Sequence, residues 1–367
     1  MALTEALIKE AGERYVREQD RYAKLAHFVA DACQQQVVDT NVIRATVQWR
    51  AKVRKRFEAK LQKWLADPGK KDRTAKISTL DDVFDQVGGD LAGVRITTYV
   101  ETDRDRVVEV IRRHFDGSGG SVDVDKKDAT ARERGSLYRA THCQVRLKPD
   151  DLVGTYENLA GLSCEIQVCS LLAHVWNEIE HDLGYKTLSG PLSSLEKDLL
   201  QVLGRETEAG DIVIASLLAE KERRSTGNAG AFIDEYDFVA RMRERFPHAT
   251  DFGANAGQLY EELVASGMDT PQKIEQELLR DGQDKAETLL QQLIKHMQAH
   301  NDVTVWIEPE SSDQLLVLLL EKHLDEILAR HPTGRGMGRP PRIVSFAKRF
   351  QDMKAAQSRQ ASRVAVG

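Results

Sequence analysis

Glu165 is a residue of this sequence whose type and position could support chemistry. It stands in the segment "LSCEIQV", residues 162–168, which has the composition of a buried strand. Side chains along a strand alternate between two faces, so Ser163, Glu165, Gln167 and Cys169 share one face. A carboxylate on a central strand is costly unless it is paired, hydrogen-bonded or bound to a metal ion. We therefore expect Glu165 to face a polar site.

A second carboxylate, Asp90, stands in "DLAGVR", where a loop leads into another predicted strand. If the two strands lie in one sheet, Asp90 and Glu165 converge from neighbouring strands. Two carboxylates form a hard-oxygen site of the kind that Mg²⁺ prefers. The sequence thus predicts a Mg²⁺ site at Asp90 and Glu165. A magnesium site in turn suggests a substrate that carries phosphate.

Cations that could bind such phosphates occur in the segment "WRAKVRKRFEAK". It contains Arg50, Lys52 and Lys60, and in a helix Lys52 and Lys60 would lie two turns apart on one face. We interpret the three side chains as a basic wall along the phosphate site.

More cations occur between residues 117 and 135, a glycine-rich and charged stretch that predicts an exposed loop. Tyr138 follows this loop closely and offers an aromatic surface for stacking. The cations of the loop nearest to it are Lys126, Lys127, Arg132 and Arg134. Phosphate-binding groups beside a stacking surface indicate a nucleotide ligand.

The elements around these residues predict an α+β fold. Residues 3–65 have helical spacing of apolar positions, with a break near 38–41. Strand-like alternation follows at 93–100, 138–147 and 162–168, and an amphipathic helix follows the first of these strands. The interleaving of strands and helices predicts a mixed sheet flanked by helices.

We expect a domain boundary at the small, polar stretch "STGNAG", residues 225–230. The predicted domains are residues 1–225, with the sheet and the N-terminal helices, and residues 230–332, which are mainly helical. The remainder, 333–367, is predicted to be a flexible basic tail. From Arg330 onward nine Lys or Arg face one Asp, a charge of +8 in a chain whose net charge is −6.

Composition argues against several other classes of protein. Four cysteines show no paired metal-ligand spacing, which indicates reduced, buried thiols in a reducing compartment. The N-terminus has no apolar run of signal-peptide length, and no 18 apolar residues run together anywhere. We therefore expect a cytoplasmic protein without membrane contact.

Four sequence blocks, in this order, resemble the synthetase domain of RelA/SpoT-type nucleotide pyrophosphokinases, the alarmone synthetases. The blocks are "DLAGVRITTYV", "YRATH", "EIQV" and "HVWNEIEHDLGYK". The resemblance spans roughly residues 45–190 and implies a nucleotidyltransferase-like mixed sheet. It also implies Mg²⁺-dependent transfer of a pyrophosphoryl group from ATP to the 3′-hydroxyl of GDP or GTP, giving the (p)ppGpp of the stringent response.

The same resemblance implies roles for individual residues. It places catalysis at Asp90, Glu165 and Gln167, with Mg²⁺ held by Asp90 and Glu165; ATP at Arg50, Lys52, Lys60 and Arg95; and the acceptor at Tyr138, Lys127, Arg134 and His142. In these roles the acceptor base stacks on the tyrosine, and the two basic loop residues bind its phosphates.

Departures from the family pattern leave the acceptor open. Leu137 stands where a glycine is usual before the tyrosine, and Cys169 and Ser170 replace the usual arginine and threonine. One alternative is a toxic relative that modifies the 3′ end of tRNA and is paired with a neutralising domain or protein, as in a toxin–antitoxin system. The other alternative is a degenerate, non-enzymatic nucleotide-binding module.

Two further expectations concern the rest of the chain. Only some 45 residues precede the synthetase blocks, too few for the N-terminal metal-binding hydrolase of the long family members. We expect no hydrolase activity. The apolar C-terminal helices are expected to mediate self-association or to bind a regulatory partner.

Overall fold

The computed structural model describes residues 3–185, 192–225, 228–280, 283–302, 305–331 and 341–364. The chain divides into two compact units. The first consists of Met1–Val37 and Arg44–Ala215, and the second of Val38–Ile43 and Ser216–Gly367. Each unit therefore takes residues from two separate stretches of the chain.

The first unit contains one five-stranded mixed sheet. Its strands are β1 (Ala45–Ala51), β2 (Ala92–Thr98), β3 (Asp123–Lys126), β4 (Thr141–Val145) and β5 (Cys164–Ser170), in the spatial order β1-β2-β5-β4-β3. β2 and β5 are parallel, and the other pairs are antiparallel. With the helices around it, this sheet confirms the predicted fold class.

Helices precede and flank the sheet. They are α1 (Glu5–Ala32), α2 (Arg54–Ala66), α3 (Lys71–Ala75), α4 (Leu80–Val87), α5 (Asp103–His114), α6 (Lys127–Glu133), α7 (Leu171–Tyr185) and α8 (Ser194–Ser225). α1 covers the apolar face of the sheet, where His27 meets the ring of Trp49 edge-on at 5.2 Å. α7 follows β5 directly and contacts the polar face, which leaves the rest of that face open for a site.

The helical prediction was wrong at residues 45–51, which form β1 at the edge of the sheet. The stretch "ATVQWRA" contains the β-branched residues Thr46 and Val47 and an aromatic residue, all of which favour strands. The helical segment begins only at Arg54. Lys52 and Lys60 therefore do not lie on one helix; Lys52 lies between β1 and α2, and Lys60 lies within α2.

The predicted loop at residues 117–135 also contains regular structure. β3 pairs with β4, and α6 follows β3 directly. Both elements are short, and neither has the long apolar periodicity by which a strand or helix is recognised in a sequence.

The second unit is mainly helical. Its helices are α9 (Glu235–Met242), α10 (Ala256–Ala265), α11 (Pro271–Leu278), α12 (Gln283–Ala299), α13 (Asp313–Arg330) and α14 (Arg342–Val364). They enclose one large apolar core to which all six helices contribute.

The C-terminal stretch differs from the predicted flexible tail. Part of it, residues 332–340 and 365–367, lies outside the described residues, but the remainder forms α14. Phe346 and Phe350 of α14 are almost completely buried in the core of the second unit. The prediction rested on the composition and net charge of the stretch, and neither reports the apolar positions that α14 buries in the core.

Two expectations from composition can be compared with the structure. All four cysteines are free and buried, which agrees with thiols that pack as small apolar side chains. Within the described ranges, no helix is long and apolar enough to cross a bilayer.

Candidate functional site

The site is built on the polar face of the sheet, in two transverse rows. Directly paired residues of neighbouring strands lie on the same face. One row runs Arg50, Gly93, Glu165 and Gln144; the other runs Gln48, Arg95, Gln167 and His142. Gly93 has no side chain, so a gap lies between Arg50 and Glu165.

Asp90 reaches this face through a tight turn. α4 begins with a capping box between Thr79 and Asp82, and a 3₁₀ turn, Gly88–Leu91, leads from its end into β2. A Cβ atom at Gly89 would lie 2.6 Å from the carbonyl carbon of Cys164. Only glycine allows the turn to pack this closely on the start of β5, which brings Asp90 to the same edge as Glu165.

Asp90 is held by two lysines. The Lys52 Nζ atom lies 2.8 Å from both carboxylate oxygens, and the Lys60 ammonium donates to Oδ2. Burial lowers the pKa of Lys52, while the charge of Asp90 and their hydrogen bond act in the opposite direction. The predicted metal ligand and two predicted ATP-binding cations therefore form one ion cluster.

Glu165 accepts hydrogen bonds at both of its carboxylate oxygens. Gln167 Nε2 donates to Oε1 and Gln144 Nε2 donates to Oε2, each at 2.8 Å. His142 Nδ1 lies 3.4 Å from Oε2. Burial raises the pKa of Glu165, but contact with His142, the hydrogen bond from Gln167 and the charge of Lys60 outweigh it and lower the pKa to about 2. Glu165 is thus an ionised carboxylate at neutral pH.

Arg95 connects the sheet to α7. Its Nη2 atom lies 2.8 Å from Glu178 Oε1 and 3.4 Å from Gln167 Oε1. Its Nη1 atom lies 3.5 Å from the ring Nε2 of His174. Arg95 is thereby fixed with its guanidinium towards the polar face.

An open cleft of about 470 Å³, part of it open solvent, lies over this face. The predicted site residues that line it are Arg50, Asp90, Arg95, Glu165 and Gln167. The structure therefore brings both carboxylates together with two cations of the predicted ATP side.

Two of the predicted acceptor residues, Tyr138 and His142, lie beside this cleft. Tyr138 Oη lies 3.0 Å from His142 Nε2, so the tyrosine is connected through His142 to Glu165. Burial raises the pKa of Tyr138. Lys127 pairs with Asp125 at the end of β3, and Arg134 is exposed just after α6.

The oxygen ligands that the cleft offers to Mg²⁺ are the carboxylates of Asp90 and Glu165. In the described part of the chain, no cluster of three or more His, Cys, Asp or Glu side chains forms a metal site. Two carboxylates lining one cleft do fit the usual mode of Mg²⁺, which takes one or two protein carboxylates and completes its shell with water and substrate phosphates. Asp90 and Glu165 would hold it.

Sequence reasoning missed three polar partners in the site. Gln144 contacts Glu165, while His174 and Glu178 contact Arg95. The alternation that places His142 on the polar face of β4 also places Gln144 there, two residues on. The sequence pattern could therefore have predicted this partner. The contacts of α7 depend on how the helix packs on the sheet, which has no signal in the sequence.

The segment of the chain that contains these site residues is similar to a known protein family. Residues 49–189 match the family described as "Region found in RelA / SpoT proteins". No curated protein matches the chain. The fold is an α+β fold with a polar cleft on its sheet, and residues 49–189 are similar to the region that this family model describes. The resemblance of the four sequence blocks is confirmed.

Several solved structures are similar to this one over 57% of the chain. They include a GTP pyrophosphokinase family protein from Streptococcus pneumoniae, with 20% identity, 96% of that chain covered and a TM-score of 0.42. Small alarmone synthetase 1 from Bacillus subtilis is similar at 20% identity, with 99% of that chain covered and a TM-score of 0.44. The structure of the same enzyme bound to its product pppGpp is similar at 21% identity, with 98% of that chain covered and a TM-score of 0.43.

Proposed function

We propose that this chain is an ATP-dependent pyrophosphokinase that transfers the β,γ-pyrophosphoryl group to the 3′-hydroxyl of a guanine nucleotide, giving (p)ppGpp. One observation carries the proposal. Two carboxylates, Asp90 and Glu165, line one cleft with Arg50 and Arg95, inside the segment that matches the RelA/SpoT region. Such an arrangement suits phosphoryl-transfer chemistry, which depends on positioning and on neutralising charge.

In this proposal the cations of the cleft bind ATP. Arg50 lies beside the gap at Gly93 and can stack on a base or bind phosphate. Lys52 and Lys60, which contact Asp90 in this structure, turn their ammonium groups towards the triphosphate when ATP binds. Mg²⁺ bound at Asp90 and Glu165 would neutralise charge on the phosphates during transfer.

The acceptor enters from the side of Tyr138 and His142. Its base stacks on the Tyr138 ring, and Lys127 and Arg134 bind its phosphates. The 3′-oxygen forms a bond to the β-phosphorus of ATP, the bond from this phosphorus to the bridging α–β oxygen breaks, and AMP leaves with that oxygen. Glu165, already ionised, accepts a hydrogen bond from the 3′-hydroxyl and takes its proton as the bond to phosphorus forms, and the proton then passes to water.

A labelling experiment tests the proposal. The purified protein is incubated with Mg²⁺ and γ-labelled ATP, and GDP, GTP, ATP or deacylated tRNA is offered as acceptor. The Glu165→Gln variant should lose at least about 100-fold of the rate, the usual range for loss of such a group. The matched control is Glu109→Gln, an exposed position on α5, which should retain full activity.

Each result assigns a function. Label on GDP or GTP that is lost in Glu165→Gln supports the proposal. Label on tRNA supports the toxic relative instead, and its rate should then fall steeply with salt because a polyanionic acceptor releases counterions on binding. ATP binding without any transfer contradicts both enzymes and supports the nucleotide-binding module. Self-association or a regulatory partner at the C-terminal helices stays a prediction.

A further inference from the structure

Helix α8 contacts the proposed acceptor segment, residues 132–139, along one of its faces. The contacts come from Gln201, Gly204, Glu208 and Asp211. Their spacing of three, four and three residues places them on one side of the helix. α8 lies outside the RelA/SpoT-type region at 49–189.

The first contacts fix the start of the segment. Gln201 Nε2 donates to the carbonyl of Gly135 at 2.6 Å. Gly135 has a φ of 73°, in the left-handed region, so the chain reverses there. Arg132 Nη2 also lies 3.1 Å from Glu208 Oε1. The turn that carries Arg134, one of the two proposed acceptor cations, is therefore attached to α8.

The two neighbours of Tyr138 are both anchored to α8. Leu137 packs against Gly204, where a Cβ atom would lie 2.4 Å from Leu137 Cδ1 and 2.9 Å from Leu137 Cβ. Arg139 Nη1 donates to Asp211 Oδ2 at 2.7 Å, and both side chains are buried. A buried ion pair of this kind is costly to break from one side, so the contact holds its geometry.

Tyr138 itself faces away from these anchors. It packs against Cys169 and Ala173, and its hydroxyl lies beside His142. The side chains on either side of it are held by α8, while Asn177 of α7 holds the main chain of Arg139.

We propose that α8 positions the acceptor-binding segment, and that Gly204 sets this position by providing the space into which Leu137 packs. This inference rests on the proposed function, because it assigns the segment to acceptor binding. A segment held in place before binding loses less conformational freedom when the acceptor binds.

The test uses Gly204→Ala, whose added methyl group must displace Leu137. We expect the acceptor KM to rise roughly tenfold, the effect of overpacking one methyl group in a close contact. The KM for ATP should stay unchanged. Hydrogen exchange in residues 132–139 should become faster, and this readout does not depend on catalysis.

Gly210→Ala is the matched control, since it adds the same methyl group to the same helix. There the Cβ would meet only the tip of Leu172, at 2.5 Å from Cδ1, which can rotate away. Both variants gain helix propensity equally. The control should leave the acceptor KM and the exchange of residues 132–139 as in the wild type.

A double-mutant cycle with Leu137→Gly completes the test. Once Leu137 is removed, Gly204→Ala should add no further increase in acceptor KM or exchange rate, which identifies their contact as the cause. The inference is overturned if Gly204→Ala and Gly210→Ala behave alike, if the two effects in the cycle simply add, or if the KM for ATP rises equally. A wild type that transfers no label overturns the proposed function, and the exchange rates still report whether α8 holds the segment.

Discussion

At the scale of single residues, the distinctive feature is that Asp90 is shared between two lysines. Lys52 contacts both carboxylate oxygens and Lys60 contacts one. A carboxylate neutralised in this way attracts a divalent cation only weakly. If the lysines bind a triphosphate, as proposed above, the same carboxylate would become available, so we expect metal and nucleotide binding to be coupled.

Lys60→Ala tests this coupling. Removing one positive charge beside Asp90 should strengthen Mg²⁺ binding to the nucleotide-free protein and weaken ATP binding by roughly tenfold. Isothermal titration with MgCl₂ and, separately, with ATP measures both. Lys55→Ala, at an exposed position of the same helix, is the control and should change neither. Parallel losses of Mg²⁺ and ATP affinity would contradict the coupling.

Glu165 gives a prediction on pH. Its pKa in the fold is about 2, below its ordinary value of 4.5. The ionised form therefore stabilises the fold above pH 4.5, and this stabilisation is lost as the pH falls towards 2. Glu165→Gln should cost roughly 3 kcal/mol of unfolding free energy at pH 7, by the relation between pKa shift and stability. The cost should be smaller at pH 3.5.

Urea unfolding of the wild type and Glu165→Gln at the two pH values measures the difference. Glu109→Gln is again the matched control. A destabilisation of the same size at both pH values would mean that packing of the side chain, rather than its charge, is what the substitution removes.

At the scale of elements, α1 determines where Lys52 lies. The buried Tyr15 hydroxyl and the Gln19 amide of α1 both donate to the main-chain carbonyl of Lys52. The Lys52 amide donates to the carbonyl of Leu91, in the turn that carries Asp90. The N-terminal helix thus supports the cleft from the opposite side of the sheet.

Tyr15→Phe removes one of these hydrogen bonds and keeps the ring. We expect a loss of about 1–2 kcal/mol of stability, the usual cost for a buried acceptor that loses a donor. ATP affinity should fall several-fold as Lys52 becomes less fixed. Tyr22→Phe, at a buried position of the same helix, provides the matched control. Equal ATP affinity in the two variants would contradict a positioning role for Tyr15.

The sequence correctly predicted those strands in which buried apolar residues alternate with polar residues that face the cleft. β2 and β5 alternate between core and cleft, and that alternation placed Glu165 and Gln167 on the polar side. It failed at β1, an edge strand in which the consecutive residues Gln48, Trp49 and Arg50 are all exposed, so no alternation with the core is visible there. Arg50 was nevertheless chosen correctly as a lining residue of the cleft, because its type suits phosphate whichever element carries it.

Contacts between elements lay beyond the sequence. The double contact of Asp90 with Lys52 and Lys60 requires the turn at Gly89 to pack on β5. Neither the spacing of these residues nor their types encodes this packing. Similarly, the contact of Leu137 with α8 joins residues far apart in the chain.

At the scale of the whole molecule, α14 belongs to a core and is not an appendage. It contacts α12 and α13, and its aromatic residues are buried. Phe346→Ala should cost about 3–5 kcal/mol, as for other large aromatic residues removed from cores. Hydrogen exchange in α12 and α13 should become faster.

Gln351→Ala, on the exposed side of α14, is the control and should leave exchange unchanged. The flexible-tail hypothesis makes the opposite prediction, that neither variant affects α12 or α13. Exchange measured by mass spectrometry on the full chain decides between the two.

The short stretch Val38–Ile43 determines whether the second unit is complete when it is separated from the first. It belongs to the second unit although it is encoded between two parts of the first. Val42, for example, is buried in the core of the second unit. A single cut after Ala215 would leave this apolar piece on the wrong fragment and a void in the other. A fragment that begins at Ser216 should therefore be less stable than the same unit in the whole chain, and it needs Val38–Ile43 to complete its core.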